Sequence, residues 1–88
     1  MTRDEVIHVG YTVIQPIPYQ IERVAPDDYL ASFPDGNIAI GGEDASEAYQ
    51  GLIAEILDTF DVLTAPRANL SPAAEAQLAV LRQYIVRT

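Results

Sequence analysis

An acidic chain of 88 residues with 49% hydrophobic content supports one packed domain and excludes a wholly disordered chain. The net charge is −8, with five arginines and no lysine, which argues against binding to a nucleic-acid backbone. The absence of cysteine excludes disulfides and thiolate chemistry. No stretch has the pattern of a signal peptide or a membrane span, so we expect a soluble cytoplasmic protein with no membrane contact.

Residues 1–14 form either an N-terminal extension or an extra strand, and the sequence leaves both open. Val6, Ile7 and Val9 are compatible with a brief strand, but chain ends are often loosely held. His8 is the single histidine. A general base needs positioned partners that the sequence does not show, so we assign His8 no catalytic role.

Residues 15–63 form the predicted β-β-β-α core. Alternating apolar and polar residues predict a half-buried strand from Tyr19 to Val24. A second strand is predicted over residues 29–33, with Tyr29, Ala31 and Phe33 on one face. Ile38 and Ile40 mark a third short strand, which the two glycines at 41–42 end. Short strands joined by tight turns favour a three-stranded antiparallel meander.

Turn residues separate these strands. Residues 25–28 contain a proline followed by two aspartates, and residues 34–37 contain Gly36, which is free to adopt a positive φ. Pro16 and Pro18 cannot donate to a strand ladder, so the segment before the first strand is expected to be an edge or an entry into that strand.

A long amphipathic helix is predicted from Asp44 to Leu63. Asp44 is the expected N-cap, and Glu47 occupies the capping-box position. At 100° per residue, one face is apolar: Ala45, Tyr49, Leu52, Ile53, Ile56, Phe60 and Leu63. The opposite face contains Glu47, Gly51, Glu55, Asp58 and Asp61.

Asp58 and Asp61 lie near the end of this helix, where the helix dipole disfavours acids. Two explanations remain open. The acids form a solvated surface, or they meet arginines or lysines from Arg67 or from a partner.

Residues 64–70 are a predicted linker, and residues 71–87 a predicted C-terminal helix. Ser71 is the expected N-cap, with Pro72 at the first helical position. The apolar surface is wider than one contact needs, so the helix is either deeply packed or faces a second subunit. Its two stripes are Ala74, Leu78, Leu81 and Ile85, and Ala73, Val80 and Tyr84.

No catalytic, cofactor-binding or metal-binding constellation is apparent, so we predict a protein that is not an enzyme. The glycines between Gly36 and Gly42 lack the lysine and hydroxyl residue of a phosphate-binding loop. Oxygen-rich loops can hold Mg²⁺ or Ca²⁺, so a metal-dependent enzyme built on the acids near the turns and the helix cap is a third alternative. Turn formation and solubility explain the same acids: Asp27, Asp28, Asp35, Glu43 and Asp44.

Three short patterns occur in order between Tyr19 and Leu57. They are Tyr-Gln-Ile at 19–21, Asp-Tyr-Leu-Ala-Ser-Phe-Pro-Asp at 28–35, and Gly42 and Asp44 before Glu47-Ala48. Together they resemble the N-terminal domain of the HicB-like antitoxin family. Asp28 stands where that family usually has glycine, and residues 36–39 replace its common Leu-Pro-Gly-Cys.

The resemblance implies a β-β-β-α unit like that of double-stranded-RNA-binding folds, without RNA binding. It also implies an antitoxin that neutralises a small basic ribonuclease toxin by covering its surface, and that forms a homo-oligomer, most simply a dimer. On that reading, the partner contacts are Glu47, Glu55, Asp58 and Asp61. Only Ser71 to Arg87 follows the core, which is too little for an appended DNA-binding domain.

The alternative is a small homo-oligomeric interaction or scaffold domain with no toxin partner. Its support is the wide apolar surface of the predicted C-terminal helix.

Overall fold

The computed structural model describes residues 10–65 and 68–87. It confirms the α+β fold, in which a three-stranded antiparallel meander is followed by a long helix and a second helix. In chain order, the elements are β1 (Tyr11–Val13), β2 (Gln20–Ala25), β3 (Asp28–Phe33), a one-turn 3₁₀ helix (Pro34–Gly36), β4 (Ile38–Gly42), α1 (Ala45–Leu63), α2 (Pro72–Leu81) and β5 (Ile85–Arg87).

The meander has the strand order β2-β3-β4, so β3 is central. Ala31 of β3 lies opposite Ile21 of β2 on one side and Ile40 of β4 on the other. In the turn before β4, the residue with positive φ is Asn37, at 58°, rather than Gly36 as expected. Asparagine tolerates this left-handed conformation, because its short polar side chain can bond to the local backbone.

Helix α1 begins where its capping residues predict. The Asp44 carboxylate accepts a hydrogen bond from the Glu47 amide at 2.8 Å. The Glu47 carboxylate in turn accepts from the amide of Glu43 at 2.7 Å, one residue before the N-cap. Two otherwise free backbone donors are thereby satisfied at the helix start.

The core lies between α1 and the strands β3 and β4, and residues of α2 and β5 complete it. Three details of the predicted apolar face are corrected. Ala45, expected on that face, is exposed. Ala48, absent from the predicted face, is fully buried, and Gly51, expected on the polar face, lies against Ile40. The buried hydrophobic residues are Ala31, Phe33, Ile38, Ala48, Leu52, Ile56, Phe60, Leu78, Leu81 and Ile85.

Strand β2 lies outside this core, and every one of its residues is exposed. The prediction of a half-buried strand is therefore wrong, because Ile21 is 39% and Val24 is 51% exposed. Alternation shows that one strand face is apolar, but it does not show whether a helix covers that face.

The predicted C-terminal helix over residues 71–87 is too long. Helix α2 starts as expected, with the Ser71 hydroxyl accepting from the Ala74 amide at 3.2 Å, but it ends at Leu81. The chain then turns, and Ile85–Arg87 forms β5. Ile85 is fully buried in the core. The apolar spacing suggested a further helical turn here, but burial of Ile85 and pairing of β5 favour a strand instead.

Strand β1 pairs antiparallel with β5, with Tyr11 opposite Arg87 and Val13 opposite Ile85. Residues 11–13 therefore form an extra strand, but they form a separate two-stranded sheet and do not join the meander. The amide of Ile14 extends this ribbon by donating to the carbonyl of Tyr84 at 2.7 Å. The predicted strand residues Val6, Ile7 and Val9 lie outside the described residues, as does His8.

Helix α2 packs within its own chain through Leu78 and Leu81, which are buried. The Gln77 side-chain amide also donates to the carbonyl of Gly36 at 2.6 Å. Within the described ranges, no helix has the length and apolar character needed to cross a bilayer.

Candidate functional site

The outer side of α1 carries the four acids that were predicted to contact a partner. Glu47 lies in the first turn, Glu55 and Asp58 in the middle, and Asp61 in the last turns. All four are exposed. We call these four residues the acidic face; they have different local environments, which decide what each can do.

Glu47 already has a structural task. Its carboxylate accepts the amide of Glu43, and its own amide donates to Asp44. A change at Glu47 would therefore weaken the start of α1 as well as alter the surface charge. A substitution of Glu47 would therefore change the stability of the fold together with any binding of a partner.

Glu55 and Asp58 are three residues apart, so they lie on neighbouring turns of one side of α1. Neither forms an ion pair among the residues that the structure describes, where the one ion pair joins Asp61 to Arg87. Like charges at this spacing repel each other. Their negative charge is therefore directed to solvent and available to a cation from outside the described residues.

Asp61 is paired within the chain. The Arg87 guanidinium lies 2.9 Å from its carboxylate, and the same guanidinium nitrogen donates to the Thr64 hydroxyl at 2.6 Å. The Thr64 hydroxyl donates in turn to the carbonyl of Phe60 at 2.7 Å. Arg87 thus places positive charge beside the C-terminal end of α1, where the helix dipole favours a cation.

Two aromatic rings complete this contact. The Arg87 guanidinium lies 5.5 Å from the ring centre of Tyr11 and 5.7 Å from that of Phe60. The two rings meet edge to face, with centres 6.1 Å apart. The contacts are of the cation–π type, and they hold the β1–β5 ribbon against the end of α1.

Hydrogen bonding and charge shift two pKa values in this cluster. The hydrogen bond with Tyr11, followed by that with Arg87, lowers the pKa of Asp61 below its usual value. The hydrogen bond to Asp61, followed by burial, raises the pKa of Tyr11. Both shifts favour a charged Asp61 beside a neutral Tyr11 at neutral pH.

An arginine as the partner of Asp61 was one of the two alternatives, with Arg67 as the named candidate. Arg67 lies outside the described residues, and the arginine that the structure places there is Arg87. The sequence did not reveal this pair, because a helix continued to residue 87 would not bring Arg87 back beside β1. The contact depends on β5.

An apolar groove of about 230 Å³ lies between α1 and the segment that leads into β2. Three of the five tyrosines of the chain line it, and the rings of Tyr19 and Tyr49 are 5.0 Å apart. The lining residues are Tyr11, Val13, Pro16, Ile17, Tyr19, Tyr49, Ile53, Ile56, Leu57 and Ile85. The groove therefore offers apolar and aromatic contact rather than charged groups.

The acids of the turns are not gathered into a site. Among the described residues, no group of three or more histidines, aspartates or glutamates is close enough to hold a metal ion. Asp44 caps α1, and Asp35 lies 3.5 Å from the Tyr84 hydroxyl.

Comparison with protein-family models, curated proteins and solved structures finds no match to this chain. The resemblance to HicB-like antitoxins therefore stays a prediction based on residues 19–57.

Proposed function

We propose that the protein is a HicB-like antitoxin-type binding protein that neutralises a small basic ribonuclease toxin by occlusion. The observation that carries the proposal is the position of Glu55 and Asp58. Both are exposed on adjacent turns of a capped helix, and neither has a counter-ion among the described residues.

Charge complementarity gives this arrangement its mechanism. A ribonuclease holds the phosphates of its substrate with cationic side chains. Carboxylates fixed on a helix compete for those cations, and the bulk of α1 then covers the surface that RNA would occupy. No bond is made or broken, and the net charge of −8 would speed the encounter with a basic partner.

The four residues of the acidic face do not contribute equally in this proposal. Glu55 and Asp58 make the direct contacts, because they have no structural role that competes. Glu47 accepts the amide of Glu43 at the start of α1, and Asp61 pairs with Arg87, so both are expected at the border of the interface.

The test is reversal of the two free acids. We expect Glu55→Lys combined with Asp58→Lys to weaken partner binding at least 100-fold, since like charges across an interface cost several kcal/mol. The melting temperature should change little, because both side chains are exposed. Binding is measured by capture from native lysate at two salt concentrations, with mass identification and an RNA-cleavage assay of the captured protein.

A matched control reverses two exposed acids elsewhere, Asp28→Lys with Glu75→Lys, which changes the net charge by the same amount. The control should retain the captured protein. Equal capture by both double variants, or a captured protein that cleaves no RNA, would contradict the proposal.

A second candidate is a homo-oligomeric interaction domain with no toxin partner. The exposed apolar residues of β2 favour it more than the surface of α2, whose largest apolar side chains are buried in the same chain. Recovery of only the bait's own oligomer from lysate would select this candidate.

A further inference from the structure

Strand β2 is an outer strand of the meander, with β3 as its one partner among the described strands. Apolar side chains are also exposed along this strand, whereas edge strands are commonly protected by charged residues or by a covering element. Val24 is 51% and Ile21 is 39% exposed, and Tyr19, directly before the strand, is 46% exposed. An open edge with apolar side chains is a template for pairing with another strand.

The helix-facing side of β2 is largely uncovered because α1 lies mainly over β3 and β4. Ile21 and Arg23 point to that side, since they pair with Ala31 and Tyr29 on the face of β3 that meets the helix. Tyr19 follows the same alternation and lines the apolar groove beside α1. A further strand beside β2 would bring side chains into this uncovered space.

We propose that two copies of this chain pair antiparallel through β2, about a two-fold axis at Ile21. The two meanders would form one six-stranded sheet, with both α1 helices on the same face. This inference does not rest on the antitoxin proposal, because it uses only β2 and its neighbours.

The charges of β2 are compatible with this register and disfavour two neighbouring ones. A two-fold axis perpendicular to an antiparallel pair places one residue opposite its own copy. An axis at Glu22 or at Arg23 would place like charges directly opposite, which is destabilising. An axis at Ile21 instead places two isoleucines together and puts Gln20 opposite Glu22 of the second copy.

The next pair in this register is also favourable. Tyr19 lies opposite Arg23 of the second copy, on the helix-facing side, and this pair occurs twice by symmetry. The paired segment is short, because Pro18 has no amide hydrogen and the register of β2 is irregular between Arg23 and Ala25. Both pairs bring together groups that attract each other, and no like charges lie directly opposite, which favours a second copy over an unrelated strand.

Analytical ultracentrifugation over a dilution series tests the proposal. The full chain should sediment as a dimer at high concentration, and Ile21→Lys should raise the dissociation constant by about 100-fold or more. The control is Val62→Lys, which changes an exposed apolar residue of α1 by the same charge and should remain dimeric. Circular dichroism melts show whether each variant is folded.

Cross-linking tests the register, because the chain has no cysteine of its own. Directly opposite residues have Cα atoms about 4.5–5.5 Å apart, within the range of a disulfide. Ile21→Cys should therefore form a disulfide-linked dimer under mild oxidation. Glu22→Cys should form at least ten-fold less of the disulfide-linked dimer. Its two Cα atoms would be separated by more than about 7 Å, which is too far for a disulfide.

Three results would overturn the proposal: a monomer at all concentrations, a dimer that Ile21→Lys leaves intact, or equal cross-linking of the two cysteine variants. The last result would indicate random collision or another register.

Discussion

Strands β2 and β3 lie side by side and have the same length, but their burial is opposite. In β3, Ala31 and Phe33 are fully buried, whereas every residue of β2 is exposed. Ile21 of β2 and Ala31 of β3 lie opposite each other on the helix-facing side of the sheet. The difference comes from the position of α1, which covers β3 and β4 and leaves β2 largely free.

Small residues allow α1 to approach β4 closely. A Cβ atom on Gly42 would lie 2.5 Å from the backbone nitrogen of Ala48, and one on Gly51 would lie 2.8 Å from Ile40. On the β2 side, the helix presents the larger residues Tyr49 and Ile53, which stay half-buried. The distribution of small and large residues around α1 thus decides which strands form the core.

The largest expected effect is the loss of stability when a buried side chain of β3 is removed. Phe33→Ala should lower the free energy of unfolding by about 3–5 kcal/mol, because it removes a fully buried ring and leaves a cavity. Val24→Ala in β2 should cost less than about 1 kcal/mol. Denaturant titration of both variants measures the difference, and equal losses would show that β2 belongs to the core after all.

The next effect concerns the close approach of α1 to β4. Gly42→Ala should destabilise the fold by about 1–3 kcal/mol, since the added methyl group meets backbone that cannot move away cheaply. Gly41→Ala is the matched control, because its Cβ would lie 3.7 Å from the nearest atom. The control should be neutral or slightly stabilising. Denaturant midpoints that fall equally in both variants would contradict this account.

The smallest expected effect concerns the C-terminal end of α1, where the β1–β5 ribbon packs against the helix. Asp61→Asn should lower the melting temperature at neutral pH, because Arg87 and Tyr11 favour the charged carboxylate. A lowered pKa contributes stability above the usual aspartate value of 3.8, and this contribution is lost as the pH falls through the folded-state pKa.

Melting curves of the native protein and Asp61→Asn should therefore converge in acid. The control repeats the comparison in an Arg87→Gln background, where the difference between Asp61 and asparagine should already be smaller at neutral pH. An undiminished difference in that background would mean that Arg87 does not stabilise the charged Asp61.

Local chemistry made much of the fold predictable. Asp44 and Glu47 mark the start of α1, Ser71 and Pro72 mark the start of α2, and the turns separate the three strands of the meander. These signals act between residues that are close in sequence, so they can be read without the tertiary structure. The acids of α1 were found on its exposed side for the same reason.

The missed features depend on distant contacts. The apolar residues after Leu81 continue a helical spacing, and no glycine or proline marks the change to β5. Pairing with β1 and burial of Ile85 decide that conformation. The partner of Asp61 and the exposure of β2 were missed for related reasons, since each depends on where α1 meets another element.

The pairing of Tyr11 with Arg87 also fixes how the molecule would respond to mechanical force. The N-terminal end of β1 lies beside the C-terminal end of β5, so tension applied through the two ends of the described chain would peel the ribbon open from Tyr11 and Arg87. Its hydrogen bonds would then break one after another rather than together in shear. The ribbon would consequently be the first part of the fold to detach under load, and it would release the end of α1 before the meander is strained.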